Sequence, residues 1–484
     1  ELENEMGCFF DRNPDGTLHQ KAFAGQSFDR TVHKADLTGI EIINRLMEQV
    51  RALDVEEMEE HRAIELIPAR DGSGIAGVLF IDMRTGHYRM VQAKAVLLAT
   101  GAGPTMYKYH TPSGDKTCDG LSMALRYGLK LRDMEMVQFH PTGLLGGPDT
   151  RMTGTVLEEG LRGAGGYLIN GNGERFMTHY DPRGERATRD VVSRGIYAEM
   201  RAGRTGPMGG IYIQMSHLGP EKVAKSFPGM VNRCKDCGFD LAGGRVEVVP
   251  TAHYLMGGVE FDIDCATASP GLFAAGEDCG GVHGANRLGG NGVANSTVFG
   301  GIAGETMAKY VATQTHWREP DQAVIAQGVS RAEYPFSQSA GPLHELRDRL
   351  ASTMWDDVGV LRQQASMQRG LATIQQHRQD LMQMGVADGD RRYNVTWHDW
   401  LNLQSLVDIS QVITLSALAR ENSRGAHYRE DFPEPGDFES SCFTRVHGDV
   451  QSLNLEMVPV SFDIVRPGES LLDESANPKV AQPA

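Results

Sequence analysis

No run of about 18 apolar residues occurs in this chain of 484 residues, so no segment reads as a membrane-crossing helix. No signal-peptide pattern is visible either. The chain opens on Glu1 rather than Met, in a polar segment, and an upstream segment is expected. Cysteine is scarce: the seven residues Cys8, Cys118, Cys234, Cys237, Cys265, Cys279 and Cys442 are odd in number and scattered. That speaks against a disulfide-stapled secreted scaffold and for a reduced, cytosolic protein. Cys234 and Cys237 make one CxxC pair, which cannot complete a tetrahedral zinc site by itself. No cysteine cluster suits an iron–sulfur centre, and no metal site is expected. Positive charge is also in short supply. With 47 Lys and Arg against 63 Asp and Glu the net charge is −16, which argues against nucleic acid as a partner. An anionic ligand would need a local cationic pocket working against the global field.

What the chain does have is glycine, 57 residues gathered in patches without a fixed period. This pattern points to tight turns and close backbone approaches rather than a fibrous repeat. A hydrophobic share of 40% and a charged share of 23% are those of an ordinary globular protein, long enough for several domains with real cores. The most informative stretch is His283-Gly284-Ala285-Asn286-Arg287-Leu288-Gly289-Gly290-Asn291, one arginine among small residues just before a helical segment. Small residues let a bound molecule approach the backbone. A helix start offers free N–H groups and a positive dipole end, and an arginine fork suits a carboxylate.

Apolar spacing over residues 37–60 predicts a helix, with Asp36 and Thr38 as caps. Ile64 to Leu66 and Gly77 to Asp82 read as strands, with Arg84-Thr85-Gly86 as a turn. Ala95 to Thr100 is an apolar run ending at Gly101, the signature of a strand buried on both faces with a ligand at its carboxyl end. Gly271 to Glu277 reads as a second such strand, and Gly292 to Val311 as the helix after it. Residues 120–130 look helical, 134–251 mixed, and 343–422 helical. The last residues are Pro-rich and polar, and read as an irregular tail or partner surface.

Several stretches together resemble the flavoprotein subunit of succinate dehydrogenase and fumarate reductase. They are Gln138-Phe139-His140-Pro141-Thr142-Gly143, Glu159-Gly160-Leu161-Arg162-Gly163, Thr188-Arg189-Asp190-Val191-Val192-Ser193-Arg194, Pro250-Thr251-Ala252-His253-Tyr254-Leu255-Met256-Gly257-Gly258, His283 to Asn291, and Ser423-Arg424-Gly425-Ala426-His427. They keep family order and cover nearly the whole chain. L-aspartate oxidase shares much of the set and is the alternative. The resemblance implies an α/β fold: a Rossmann-like FAD-binding domain, an α+β capping domain and a carboxy-terminal helical domain. It divides the chain into a first part of the FAD domain (1–133), the capping domain (134–252), a second part of the FAD domain (253–315), a helical domain (330–435) and a tail (436–484). The family's first dinucleotide-binding turn, a GxGxxG after a strand, does not occur in this sequence. The FAD domain is therefore expected to be incomplete at its amino end and the chain to be a carboxy-terminal fragment. A non-catalytic fragment that only binds a partner protein is the alternative of another class.

The resemblance implies hydride transfer between flavin N5 and a C4 dicarboxylate. Such a reaction needs cations for two carboxylates, a group to handle the proton, and a polarised flavin. Arg287 and His253 are implied to grip one carboxylate and His140 the other. A lone histidine is usually a satisfied structural residue, but the matched motifs favour a substrate role. Arg189 is implied to carry the proton, with Glu159 as its relay and Asp190 or Arg194 orienting it; stabilising charge on the substrate is the other role open to it. For FAD, the implied contacts are Glu277 on ribityl or ribose hydroxyls, Asp119, and Ala99-Thr100-Gly101 near the adenosine half. The N–H groups of Gly292 and Val293 would stabilise charge at flavin N1 and O2 by about 0.3–2 kcal/mol. Glu158 stands where the family places Thr or Ser facing a substrate carboxylate; it is a substrate-site residue that cannot donate unless protonated. The implied partners are an iron–sulfur subunit, which receives the electrons, and the quinone-bearing membrane anchor behind it. The chain would sit peripherally on the inner, cytoplasmic face of the cell membrane.

Overall fold

The computed structural model describes residues 1–26, 28–147 and 150–469. The apolar runs on either side of the mixed segment come together. Val96–Leu98 pairs in parallel with Leu272–Ala274, Val96 opposite Leu272 and Leu98 opposite Ala274. Both strands thus end at the same edge, where Ala99 to Gly101 and Ala275 to Glu277 follow. The second strand is fully buried, whereas Val96 and Leu97 are half-buried, short of the two-faced burial expected for them. The helix Asn291–Thr313 starts beside this edge.

Beside the pair lies an antiparallel sheet of His61–Pro68, Ile75–Asp82 and His87–Gln92. Its first two strands extend the segments read from sequence; the third follows the expected turn, closed by Gly86 N–H donating to Asp82 O at 2.7 Å. The first helix runs over Thr38–Ala52 and stops earlier than its apolar spacing suggested. Leu37 occupies its N-cap. The carboxylate of Asp36 caps another helix, Pro228–Asp236, accepting from Gly229 N–H at 2.7 Å and Met230 N–H at 3.2 Å.

The mixed segment folds as a four-stranded antiparallel sheet in the order Val137–Leu144, Arg245–Leu255, Ile211–Gln214, Tyr167–Ile169. The helix Arg189–Arg201 packs on it, burying Val192 and Ile196 in a core with Leu144, Leu161, Ile213 and Val248. Burial of each such aliphatic side chain contributes roughly 1.5–3 kcal/mol. The helical region contains Leu343–Asp357, Gln364–Met382 and Val395–Ala419. The last of these is buried around its circumference, which fits its lack of any polar stripe.

The carboxy-terminal segment, expected to be irregular, instead forms a hairpin of Cys442–His447 and Asn454–Pro459. It joins Leu131–Arg132 and Gly258–Val259 in a four-stranded sheet. Thr444 and Val446 point inward and are buried while Cys442, Phe443 and Arg445 are half-exposed. Two inward residues in a polar stretch are too short a period-two signal to stand out. Residues 470–484 of that segment lie outside the described residues.

A buried polar knot ties the hairpin to the rest. Glu135 accepts from Arg420 Nε at 2.6 Å and from Thr444 Oγ1 at 2.7 Å. Its side chain is inaccessible to water and that of Arg420 nearly so. Removing Glu135 would leave the buried Arg420 only the longer contact to Asp133, at 3.3 Å, to offset its charge. Glu135→Ala should therefore lower the unfolding free energy by about 3–5 kcal/mol in urea titrations; a loss below about 1 kcal/mol would mean the knot is not what holds this hairpin down.

Candidate active site

Two adjacent strands bring the two motif histidines together. In the pairing of Val137–Leu144 with Arg245–Leu255, Ala252 lies opposite Phe139 and Tyr254 opposite Gln138. His253 is thus an extra residue on its strand, a β-bulge, and bulges re-aim side chains. His140 comes from the neighbouring strand. The rings stand 5.3 Å apart at 64°. His140 is buried, and burial, reinforced by the charge of Arg189, pushes its pKa well below 6.5. Desolvation and the charge of Arg287 do the same to His253, which lines an adjoining cleft. Both imidazoles are neutral at pH 7.

Arg189 opens the helix Arg189–Arg201, a place where a cation opposes the helix dipole. A carboxylate offsets this. Arg189 Nε and Nη2 donate to Glu159 Oε2 at 3.0 and 2.8 Å. The other oxygen of Glu159 accepts from Arg162 Nη2 at 2.9 Å. Burial alone would raise the Glu159 pKa, but the two guanidiniums outweigh it and hold the carboxylate ionised. Arg189 Nη1 donates to Gln138 Oε1 at 3.0 Å, and Gln138 Nε2 in turn donates to the Arg287 carbonyl at 2.7 Å. Asp190 accepts from Asn286 Nδ2 at 2.7 Å and Arg194 Nη1 at 3.1 Å, which fixes the loop before Arg287.

Arg287 is 6% exposed, and its Nε and Nη2 have no hydrogen-bond partner among the described residues. Its guanidinium lies 4.3 Å over the Tyr254 ring. Burial, with the nearby charge of Arg189, pulls its pKa down to about 9, so it is still a cation at neutral pH. Unpaired buried donors are costly in a folded protein and mark a place for an anion. Gly292 makes room: a Cβ there would come within 2.7 Å of Arg287 Nη1. Gly289 is equally constrained, because its Cβ would collide with the Glu159 carboxylate and the Phe23 ring. The inner cluster therefore holds the guanidiniums of Arg162, Arg189 and Arg287 against the single carboxylate of Glu159. With both histidines neutral, it carries a surplus of two positive charges.

The cluster opens on a cleft of about 1080 Å³ at the carboxyl ends of the parallel strands, lined by Ala99, Gly101, Glu277, Gly292 and Val293 among others. Ligands of open α/β sheets sit at such ends. Glu277 accepts from Leu255 N–H at 2.9 Å, and burial raises its pKa to about 8. Thr100 does not face this space. Its hydroxyl donates to Asp278 at 2.9 Å, and the same carboxylate accepts from Ala102 N–H at 3.1 Å, so the turn is pinned from behind. The structure does not bring Asp119 into the cleft either: its carboxylate is taken by Arg62 at 3.1 Å and Thr117 at 2.8 Å. Glu158 faces Lys21 at 3.4 Å and lines an adjoining cavity of about 800 Å³ that shares Val293 and Thr297 with the cleft. Burial raises its pKa, and the neighbouring Lys21 opposes that rise.

Sequence reading gave no role to Arg162, Gln138, Asp278, Lys116 or Thr111. Arg162 had a signal, since it stands three residues after Glu159 and so shares its helix face. The others act through contacts that only the fold creates. Lys116 Nζ, for example, donates to Thr100 O at 2.9 Å and lines the cleft.

Residues 1–293 match the model of an FAD-binding domain, and residues 347–472 that of the fumarate reductase flavoprotein carboxy-terminal domain. The chain is 39% identical to a component of the CoM/CoB fumarate reductase of Methanothermobacter marburgensis, over 89% of this chain and 77% of that protein. It is 35% identical to the succinate dehydrogenase flavoprotein subunit of Coxiella burnetii, over 90% and 77%. A solved quinol fumarate reductase flavoprotein of E. coli superposes with a TM-score of 0.88 at 31% identity, over 96% of this chain and 82% of that one.

The cluster makes a pH prediction. An imidazole held well below 6.5 in the folded protein stays neutral where the unfolded chain takes up a proton, so it withdraws stability as pH falls below about 6.5. Glu277, whose pKa is raised, acts in the opposite sense. Comparing variants isolates the histidine: from about pH 7.5 to 5.5 the His140→Asn protein should lose less thermal stability than the parent. Equal losses would show that His140 is not held neutral.

Proposed function

Because this chain belongs to the fumarate reductase and succinate dehydrogenase flavoprotein family of FAD-dependent oxidoreductases, we propose that it interconverts succinate and fumarate. The observation that carries this reading is the surplus of two positive charges, with unpaired donors on Arg287 and two neutral imidazoles, at the mouth of the FAD cleft. A C4 dicarboxylate carries two negative charges and cancels it. A monoacid leaves one charge uncompensated in a buried place, which is expensive.

FAD fits the cleft on the grounds of its glycine-lined strand ends and the helix start at Asn291. Ala99, Gly101, Glu277, Gly292 and Val293 would hold it, and when bound it supplies hydride exchange at N5. The chain's own residues do the rest. Arg287 and His253 grip one carboxylate and His140 the other, which would hold the substrate's two central carbons within reach of Arg189. Arg189 transfers the proton at the carbon that does not exchange hydride. Glu159 receives or returns that proton, and Arg162 behind it keeps the carboxylate ionised between turnovers. Arginine is a poor acid in water. Its side chain is only 7% exposed and donates twice to Glu159, so the proton would pass between the two groups out of contact with bulk water. Electron exchange with an iron–sulfur subunit, and through it with a quinone in a membrane anchor at the cytoplasmic face, belongs to this reading. Its support is the likeness to quinol fumarate reductases.

The test uses the FAD-loaded protein. Succinate should reduce a dye acceptor, and Arg189→Gln should lower that turnover at least about 100-fold while the flavin absorption stays intact. Reduction by L-aspartate but not by succinate would overturn the proposal, as would an Arg189→Gln enzyme with full turnover.

A further inference from the structure

A neutral imidazole has one N–H and one lone pair, and which nitrogen carries which decides whether it can hold an anion. At His140 the backbone settles this. Thr142 N–H lies 3.3 Å from Nδ1, and a backbone N–H can only donate. Nδ1 is the acceptor there, and the ring proton is on Nε2. At His253 the partner of Nδ1 is the hydroxyl of Thr111, at 2.7 Å, which can donate or accept.

We propose that Thr111 is a positioning residue of the substrate site: its hydroxyl donates to His253 Nδ1 and fixes the imidazole in the Nε2–H form, so that a neutral N–H faces a substrate carboxylate. This rests on the dicarboxylate reading given above. In the opposite arrangement the Thr111 proton would have no protein acceptor, since His253 is the only hydrogen-bonding partner of that hydroxyl among the described residues, and it would be left to water in the cleft. Nε2 would then turn a lone pair toward an anion. With Thr111 as donor, both ring nitrogens and the hydroxyl are matched once a carboxylate is seated.

The backbone holds Thr111 where this requires. Thr111 N–H donates to Ala252 O at 2.9 Å and Ala252 N–H donates to Tyr109 O at 2.8 Å, so the loop is strapped to the very strand that carries His253. The groups that face His253 are His140, Arg287 and Arg189. The two cations among them disfavour a doubly protonated ring, which would need no such selection. Both histidines then use the same device, a threonine donor behind Nδ1 and an N–H in front.

The experiment pairs Thr111→Val with Thr111→Ser in the FAD-loaded protein. Valine should raise KM for succinate about tenfold, the size of one lost hydrogen bond to a charged group, and leave kcat within about twofold; serine should restore KM. In parallel, ring ¹⁵N NMR of the parent, with the His253 signals assigned by their loss in His253→Asn, should show Nε2 protonated and Nδ1 bare. A proton on Nδ1, or an unchanged KM in the valine variant, overturns the proposal. If the valine variant does not fold, the ring shifts of the parent decide. Failure of the parent to bind any C4 dicarboxylate would sink the functional reading, while the ring shifts would still report whether Thr111 donates.

Discussion

A buried carboxylate shared by two guanidiniums, Glu159 between Arg189 and Arg162, is the interaction on which the site depends. It lets a cation stand at the positive end of a helix, where the dipole opposes it. It also leaves the surrounding pocket positive in a chain whose net charge is −16. Long-range attraction cannot bring an anion to such a protein; short-range pairing in a dry pocket can, because charges interact more strongly away from water. The surplus is local, held in place by neutral partners. Gln138 bridges Arg189 to the loop of Arg287, and Asp190 with Arg194 and Asn286 braces that loop from the far side.

The fold serves this cluster by joining two kinds of geometry. A parallel strand pair supplies strand ends and a helix start for a long cofactor, and an antiparallel sheet supplies the histidines. The bulge at His253 and the bare backbone at Gly289 and Gly292 are where the two meet. Each is a local irregularity that regular secondary structure would exclude. A Cβ at Gly289 would strike the Glu159 carboxylate, and one at Gly292 would push Arg287 off its seat.

Much of this was legible in the sequence, for identifiable reasons. His140, His253, Arg189, Glu159 and Arg287 sit in the short stretches that carry the family resemblance, which is what singles them out, and the structure brings all five together. The buried strand at Leu272–Ala274 and the helix after Asn291 follow from apolar runs and punctuating glycines. What was not legible depends on partners distant in the chain. Asp119 reads as a cofactor ligand until Arg62, 57 residues earlier, captures it. Asp36 reads as the cap of its own helix until Gly229 and Met230 arrive. Glu158 faces Lys21, 137 residues away. The final hairpin is visible only once Leu131–Arg132 offers it an edge to pair with. In each case a polar group could satisfy itself in more than one way, and tertiary packing chose.

The central claim is that the cluster is built for two negative charges at once. Calorimetric titration of the FAD-loaded protein with a C4 dicarboxylate and with its monoamide tests it directly. The two ligands have the same carbon skeleton and differ by one charge. The dicarboxylate should bind roughly 10- to 100-fold more tightly, the worth of a charge-assisted contact in a dry site. Equal affinities would show that the second cationic position does not exist as described.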